Sequence, residues 1–349
     1  MNQLVKIKDR FIGEGHRCYI IAEMSGNHAQ DFDNAVKIIH LAKESGADAI
    51  KIQTYTPDTI TLDSDNEYFR VKGGTWKDAN LYKLYGEAYT PWEWQVKLKE
   101  EADKIGIHIF STPFDKTAVD FLEDLGMEFY KIASFELVDI PLIKYVASKG
   151  KPIIMSTGMG SLGEIEDAVN AVKSQGNDNL CLLKCSSAYP AVPDDMNLKT
   201  MQNIAEIFSV PVGLSDHSLG SIGAVTAVAM GAQIIEKHFC ISRSIPNPDA
   251  SFSMEPAEFK QMVEDIRTVE RAIGRVSYEI SEQEENSRVF RKSIFIAENV
   301  RKGEVFDQKN LRVVRPGDGL KPKYYEQILG KRATKDIDKG TPLSWNMVE

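Results

Sequence analysis

The sequence predicts a (β/α)8 barrel followed by a small β-rich domain. Short β-rich runs alternate with longer amphipathic stretches, eight such runs fall within about 270 residues, and the composition changes near Ile280. The runs are Cys18–Ala22, Ala49–Ile52, Ile107–Phe110, Phe129–Ile132, Pro152–Met155, Leu180–Leu183, Pro211–Leu214 and Gln233–Ile235. Between them, Asp33–Glu44, Trp92–Lys104, Thr117–Leu125, Pro141–Ser148, Leu162–Lys173 and Ser221–Met230 carry apolar residues at helical spacing. Gly46, Gly106, Gly126, Gly150 and Gly231 follow helical stretches where a left-handed cap is expected. A doubly wound sheet is the competing architecture, but it rarely supplies eight units this regular. The connection Thr54–Thr90 is too long for an ordinary loop and is rich in aromatic residues. It reads as a lid or a substrate-specificity insert at the catalytic rim.

The predicted barrel spans residues 1–280. Residues 281–292 are polar and charged and read as a linker, and residues 293–349 form the small domain. A weak repeat, Glu298–Gly303 against Lys335–Gly340, gives that domain a pseudo-symmetric pattern, each copy followed by a short apolar run. So small a unit needs something to dock on.

The chain has 349 residues and a net charge of −9, which argues against a nucleic-acid or anionic-membrane surface. No apolar stretch approaches a bilayer span, and the expectation is a cytoplasmic protein. The four cysteines, Cys18, Cys181, Cys185 and Cys240, sit in or beside predicted strands and read as buried reduced thiols.

In a barrel of this kind the strand ends face the active site. Here they deliver Glu23, Lys51, Thr112, Lys131, Ser134, Ser156, Ser187, Ser215, His217 and His238 to one rim. His217 and His238 end consecutive strands in a chain with only six histidines. One strand-end histidine is usually a satisfied polar residue, whereas two on neighbouring strands suit a divalent metal with open positions. The lysines and hydroxyls suit a small anion bearing phosphate and carboxylate. Alone, Lys51 or Lys131 also suits a solvated strand end or a Schiff-base lysine, and Glu23 an ion-pair partner. Together the two halves have the layout of an aldol-like condensation with phosphoenolpyruvate as the carbon nucleophile. A lysine Schiff-base aldolase and a non-catalytic binding protein are the competing classes.

Six motifs, in order, resemble the sialic acid synthases. They are Ile20–His28, Phe110–Phe114, Tyr130–Glu136, Ser156–Met159, Gly213–His217 and Glu236–Phe239. Val314–Gly319 resembles part of that family's antifreeze-like (SAF) domain, so the resemblance covers nearly the whole chain. Glu23–His28 and Ala88–Trp94 look most like the pseudaminic acid synthase branch. Two departures stand out. Ala29-Gln30 follows His28, and Ser187 stands where neuraminate synthases often place an asparagine on the phosphate.

The resemblance implies condensation of phosphoenolpyruvate with 2,4-diacetamido-2,4,6-trideoxy-altrose, releasing phosphate. N-acetylneuraminate or legionaminate synthesis from another amino-sugar aldehyde is the alternative. It implies that His217 and His238 hold Mn, Co or Mg, and that Glu23 acts as base or orienter. Lys51, Thr112, Lys131, Ser134, Ser156, Ser187 and Ser215 are implied to bind phosphoenolpyruvate. Glu136, Tyr189 and Asp249 are implied to line the sugar, and Arg315 to reach a partner subunit's site in a domain-swapped homodimer.

Overall fold

The computed structural model describes residues 4–349 and divides after Gly274 into a larger unit and a second unit, Arg275–Glu349. In the larger unit, eight parallel strands close into a barrel. They are β3 (Tyr19–Glu23), β4 (Ala49–Thr54), β5 (His108–Pro113), β6 (Tyr130–Ile132), β7 (Ile153–Ser156), β8 (Leu180–Cys185), β9 (Val212–Asp216) and β10 (Ile234–His238). β10 pairs with β3 to close the ring, with His238 beside Glu23. An N-terminal hairpin, β1 (Val5–Ile7) with β2 (Arg10–Ile12), precedes it.

Alternation along each strand sorts the side chains. Ile20, Ala22, Ile50 and Ile52 belong to the core between sheet and helices. Tyr19, Ile21, Ala49, Phe110, Phe129, Ile154, Cys181, Leu183 and Ile234 fill the barrel interior together with Val5, Ile7 and Ile12 of the hairpin. Continuing the interior parity toward the strand ends gives Glu23, Lys51, Thr112, Lys131, Ser156, Cys185, Ser215, Glu236 and His238. The floor of the site is therefore apolar and its upper layer polar. Gly213 allows β9 and β10 to approach, because a Cβ there would collide with the Ile234 carbonyl.

The strands run further than the apolar patterning predicts. They include Glu23, Thr54, Pro113, Ser156, Cys185, Asp216 and His238, because the backbone ladder continues where the inward side chains turn polar. Helices Phe32–Glu44, Trp92–Ile105 and Leu162–Lys173 fall where helical spacing places them. Asp31 and Ser161 accept backbone N–H bonds at two of their starts, each cap contributing about 1 kcal/mol. Two helices absent from the sequence reading complete the outer layer, Lys199–Phe208 and Pro256–Ile273. All four cysteines are free and buried, and no described helix is long and apolar enough to cross a membrane.

The second unit packs Ile294, Ile296, Val300, Phe306, Leu311, Ile328, Ala333, Ile337 and Leu343 into its own core. Its strands, β11 (Ser293–Ile296) and β12 (Leu311–Val314), pair antiparallel. The repeated segments face each other, with Val300 and Ile337 exchanging backbone bonds of 2.9 and 2.8 Å. The apolar runs that follow them form only isolated bridges, at Val305 and Pro342. The segment expected as a linker contains a short helix, Glu282–Ser287.

One pH prediction follows from the barrel. His28 is fully buried among Thr90, Gln30 and Trp94, and burial pushes its imidazole down to about 4. The unfolded chain takes up this proton near pH 6.5 and the folded chain near 4, so the contribution is complete above 6.5 and lost between those values. Stability is expected to fall by about 3 kcal/mol more in the native protein than in His28→Gln when the pH drops from 7 to 4. Denaturant unfolding across that range checks this, and parallel curves for the two proteins would contradict it.

Candidate active site

The strand ends surround a cavity of about 730 Å³. Its polar half is built around two lysines and two glutamates. Lys51 Nζ lies 2.8 Å from Glu236 Oε1 and 3.3 Å from Glu23 Oε2. Lys131 Nζ donates to Ser156 Oγ at 2.7 Å and sits 3.6 Å from Glu236 Oε1, to which Ser215 Oγ donates at 3.2 Å. Burial alone would raise the Glu236 carboxyl, but Lys131 and Lys51 hold it down at about 2. Burial lowers Lys131 to about 8 and raises Glu23 to about 7. The Glu236 carboxylate thus keeps two buried cations together, and an arriving polyanion would find them already gathered.

Several buried polar atoms around this cavity have no hydrogen bond: Glu136 Oε2, Glu236 Oε2 and His238 Nδ1, with Thr112 Oγ1 on β5. Native interiors rarely leave such atoms unpaired, so a cluster of them marks where ligands complete the structure. Gly158 adds a close approach. Its φ is 30°, and a Cβ would lie 2.6 Å from Ser134 Oγ and 2.7 Å from Ser187 Oγ. Ser134 and Ser187 therefore gather around a bare stretch of backbone.

The histidines meet as the sequence suggests, with ring centroids 5.3 Å apart. His217 Nδ1 donates to the Ser186 carbonyl at 3.0 Å, which leaves the Nε2 lone pair free. A ring nitrogen fixed on a backbone carbonyl is the usual support of a metal-ligating histidine. With the bare Nδ1 of His238, this donor set fits a divalent metal. Among the described residues no third His, Cys, Asp or Glu joins them, so further positions would fall to water or substrate. Cys185 Sγ lies 3.7 Å from His217 Nδ1.

Tyr189 packs over both histidines, its centroid 4.2 Å from that of His217 and 6.1 Å from that of His238. Asp249 is buried and accepts the Gly26 N–H at 2.8 Å. Glu136 also lines the cavity, and burial pushes its carboxyl up to about 7. All the other candidate residues of the larger unit line the cavity; Thr112 lies outside its lining. Arg315 is exposed in the second unit and has no hydrogen bond or ion pair among the described residues.

Two residues that the sequence reading left without a role belong here. Glu236 and Gln53 share the inward parity of His238 and Lys51, the signal that marks them. Asp216 and Lys237, by contrast, have the opposite parity and pair with each other at 2.8 Å away from the cavity. Gln53 Nε2 donates to Glu23 Oε1 at 2.9 Å and to Ser25 Oγ at 3.1 Å. The Ser25 hydroxyl also holds Asp249. Ser25 stands at φ 45°, a left-handed conformation costly for a side chain. Ser25→Gly is expected to leave stability nearly unchanged, relief of the left-handed strain offsetting the lost hydroxyl contacts, while lowering kcat/KM about tenfold. Thermal melting and steady-state kinetics check the pair of effects, and unchanged kinetics would remove Ser25 from the site.

Comparison with known proteins places this geometry. The NeuB family profile matches residues 38–278 and the SAF domain profile residues 291–349. The pseudaminic acid synthase of Campylobacter jejuni is 46% identical over 94% of this chain and 95% of its own length. That of Helicobacter pylori is 44% identical over 95% of this chain and 97% of its own. Among solved structures, an N-acetylneuraminic acid (sialic acid) synthetase from Leptospira borgpetersenii superposes with a TM-score of 0.74. It is 32% identical, and the match covers 82% of this chain and 95% of that one.

Proposed function

Because the chain belongs to the NeuB family of sialic acid synthases, we propose that it is a pseudaminic acid synthase. On this reading it condenses phosphoenolpyruvate with the open-chain aldehyde of a 2,4-diacetamido-2,4,6-trideoxy hexose. The observation that carries the chemistry is the pairing of a buried lysine–hydroxyl basin with two histidines whose ring nitrogens are set for a metal, inside one cavity.

Lys51, Thr112, Lys131, Ser134, Ser156, Ser187 and Ser215 bind the phosphate and carboxylate of phosphoenolpyruvate and hold its C3 toward the aldehyde, the Thr112 hydroxyl being buried without a partner of its own. His217 and His238 would hold Mn, Co or Mg, which when bound polarises the aldehyde oxygen. The C2=C3 π pair forms the new bond to the aldehyde carbon while the aldehyde C=O opens to an alkoxide. Water adds at C2, and its first proton passes by way of Glu23 to that alkoxide. The C2–O bond then breaks, phosphate leaves with the remaining hydroxyl proton, and C2 becomes the ketone. Glu23, its Oε2 facing Lys51 Nζ at 3.3 Å and its carboxyl raised by burial to about 7, would orient that water and take its proton. Lys51 and Lys131 stay beside the departing phosphate throughout. Asp249, Glu136 and Tyr189 align the sugar, and Arg315 of a second copy reaches it in a domain-swapped homodimer. Four reduced, buried thiols suit a cytoplasmic location.

Chelator treatment is expected to stop phosphate release and Mn(II) to restore it, while borohydride with pyruvate leaves Lys51 and Lys131 unmodified. Full turnover in chelator, or trapping of either lysine, would favour a Schiff-base aldolase.

A further inference from the structure

The support of His217 comes from one short segment, residues 186–191 after β8, and that segment has a second neighbour. The Ser186 carbonyl holds His217 Nδ1 at 3.0 Å, and the Tyr189 ring lies against the His217 ring with centroids 4.2 Å apart. The Ala191 N–H donates to the His217 carbonyl at 3.0 Å. The same segment meets the insert between β4 and β5. There the Thr75 hydroxyl donates to the Tyr189 carbonyl, and the Trp76 ring packs on Tyr189 at 5.3 Å. Trp76 also reaches Phe252 at 6.2 Å, and the Phe252 ring lies 5.0 Å from that of His238. One intervening ring therefore joins Trp76 to each histidine.

Thr75 and Trp76 sit at the tip of a flap. Its base is an antiparallel bridge between Arg70 and Asn80, continued by the Val71 N–H to Ala79 at 3.0 Å and the Asp78 N–H to Val71 at 2.8 Å. Gly73 and Gly74 beside the tip are exposed, with open space where a side chain would stand. Among the described residues, the hydrogen bonds that tie residues 71–79 to the rest of the barrel are those of Thr75 and of Trp76 Nε1, which donates to the Pro248 carbonyl at 3.0 Å. We propose that Trp76 is a positioning residue that latches this flap onto residues 186–191 and so holds the His217 ring ready for a divalent metal. A ring pinned at one nitrogen can still tilt about that bond. The Tyr189 face limits the tilt, and Trp76 limits the movement of Tyr189. Flap closure and metal binding then assist each other, and by the same factor. This inference rests on the reading of His217 and His238 as metal ligands.

The test titrates Mn(II) into the chelator-stripped, full-length protein by calorimetry and follows amide hydrogen exchange with and without the ion. Trp76→Ala is expected to weaken Mn(II) binding about tenfold, the low end of the losses seen when support for a ligating histidine is removed. Trp76→Phe keeps a ring on Tyr189 and is expected to bind within about threefold of the native protein. In the native protein, saturating Mn(II) should slow exchange of the Val71 and Asp78 amides about tenfold, an arm that needs no variant to fold. Native affinity in Trp76→Ala, equal losses in both variants, or exchange at Val71 and Asp78 unmoved by bound Mn(II) overturns the latch and leaves the metal site standing. Absence of Mn(II) binding by the native protein overturns the metal reading and the latch with it.

Discussion

Replacing His238 with alanine is expected to abolish turnover, lowering kcat at least about 1000-fold, and to empty the site of metal. The imidazole ends β10 beside Glu23, is 8% exposed, and its Nδ1 is buried without a hydrogen bond. Among the described residues, no cluster of three or more histidine, cysteine or carboxylate side chains is gathered there to replace it. On the proposed function, the loss removes one of the two histidines that would hold the metal, and with it the means of stabilising negative charge on the aldehyde oxygen. Because the variant loses ring packing against Phe252 and His217 together with metal binding, its melting temperature is expected to fall, and circular dichroism checks that the barrel still folds. Metal content per chain and single-turnover phosphate release decide the matter. Native metal content in active His238→Ala protein would contradict the assignment.

Lys131→Met is expected to have the second largest effect, raising KM for phosphoenolpyruvate at least 100-fold, about 3 kcal/mol of charge-assisted bonding. Lys131 is 1% exposed, and its Nζ reaches Ser156 Oγ and faces Glu236. Removing it leaves Glu236 paired with Lys51 at 2.8 Å, so no buried carboxylate is stranded and the barrel is expected to fold. KM for the sugar should change less than threefold. An unchanged KM for phosphoenolpyruvate would place the anion elsewhere.

The positions of both residues were readable from the chain, because a closed parallel barrel converts strand order and side-chain parity into position. Once Lys51, Lys131, His217 and His238 are placed at strand ends, the closed ring leaves them one common cavity to face. Parity also explains what went unread. Glu236 is two residues before His238 and shares its face, but within the Glu236–Phe239 motif only the histidine drew a role. Lys237, equally polar, faces the other way toward Asp216. The hairpin Val5–Ile7 with Arg10–Ile12 has three-residue strands, too short for alternation to register. Its apolar side chains plug the barrel floor, a role set by tertiary packing. The Thr54–Thr90 insert reads from its length and aromatics as a lid or a substrate-specificity element, and the structure brings its Tyr55, Leu84 and Tyr85 into the cavity lining. Its apolar wall depended on how Tyr55, Tyr85 and Phe114 stack, which spacing does not encode.

The most direct measurement is phosphate released from phosphoenolpyruvate by the purified protein with Mn(II) and each of three sugars. These are the 2,4-diacetamido-2,4,6-trideoxy-altrose, its legionaminate-precursor counterpart and N-acetylmannosamine. The account predicts stoichiometric release with the first and little with the others. A clear preference for N-acetylmannosamine, or release that needs no sugar at all, would contradict it.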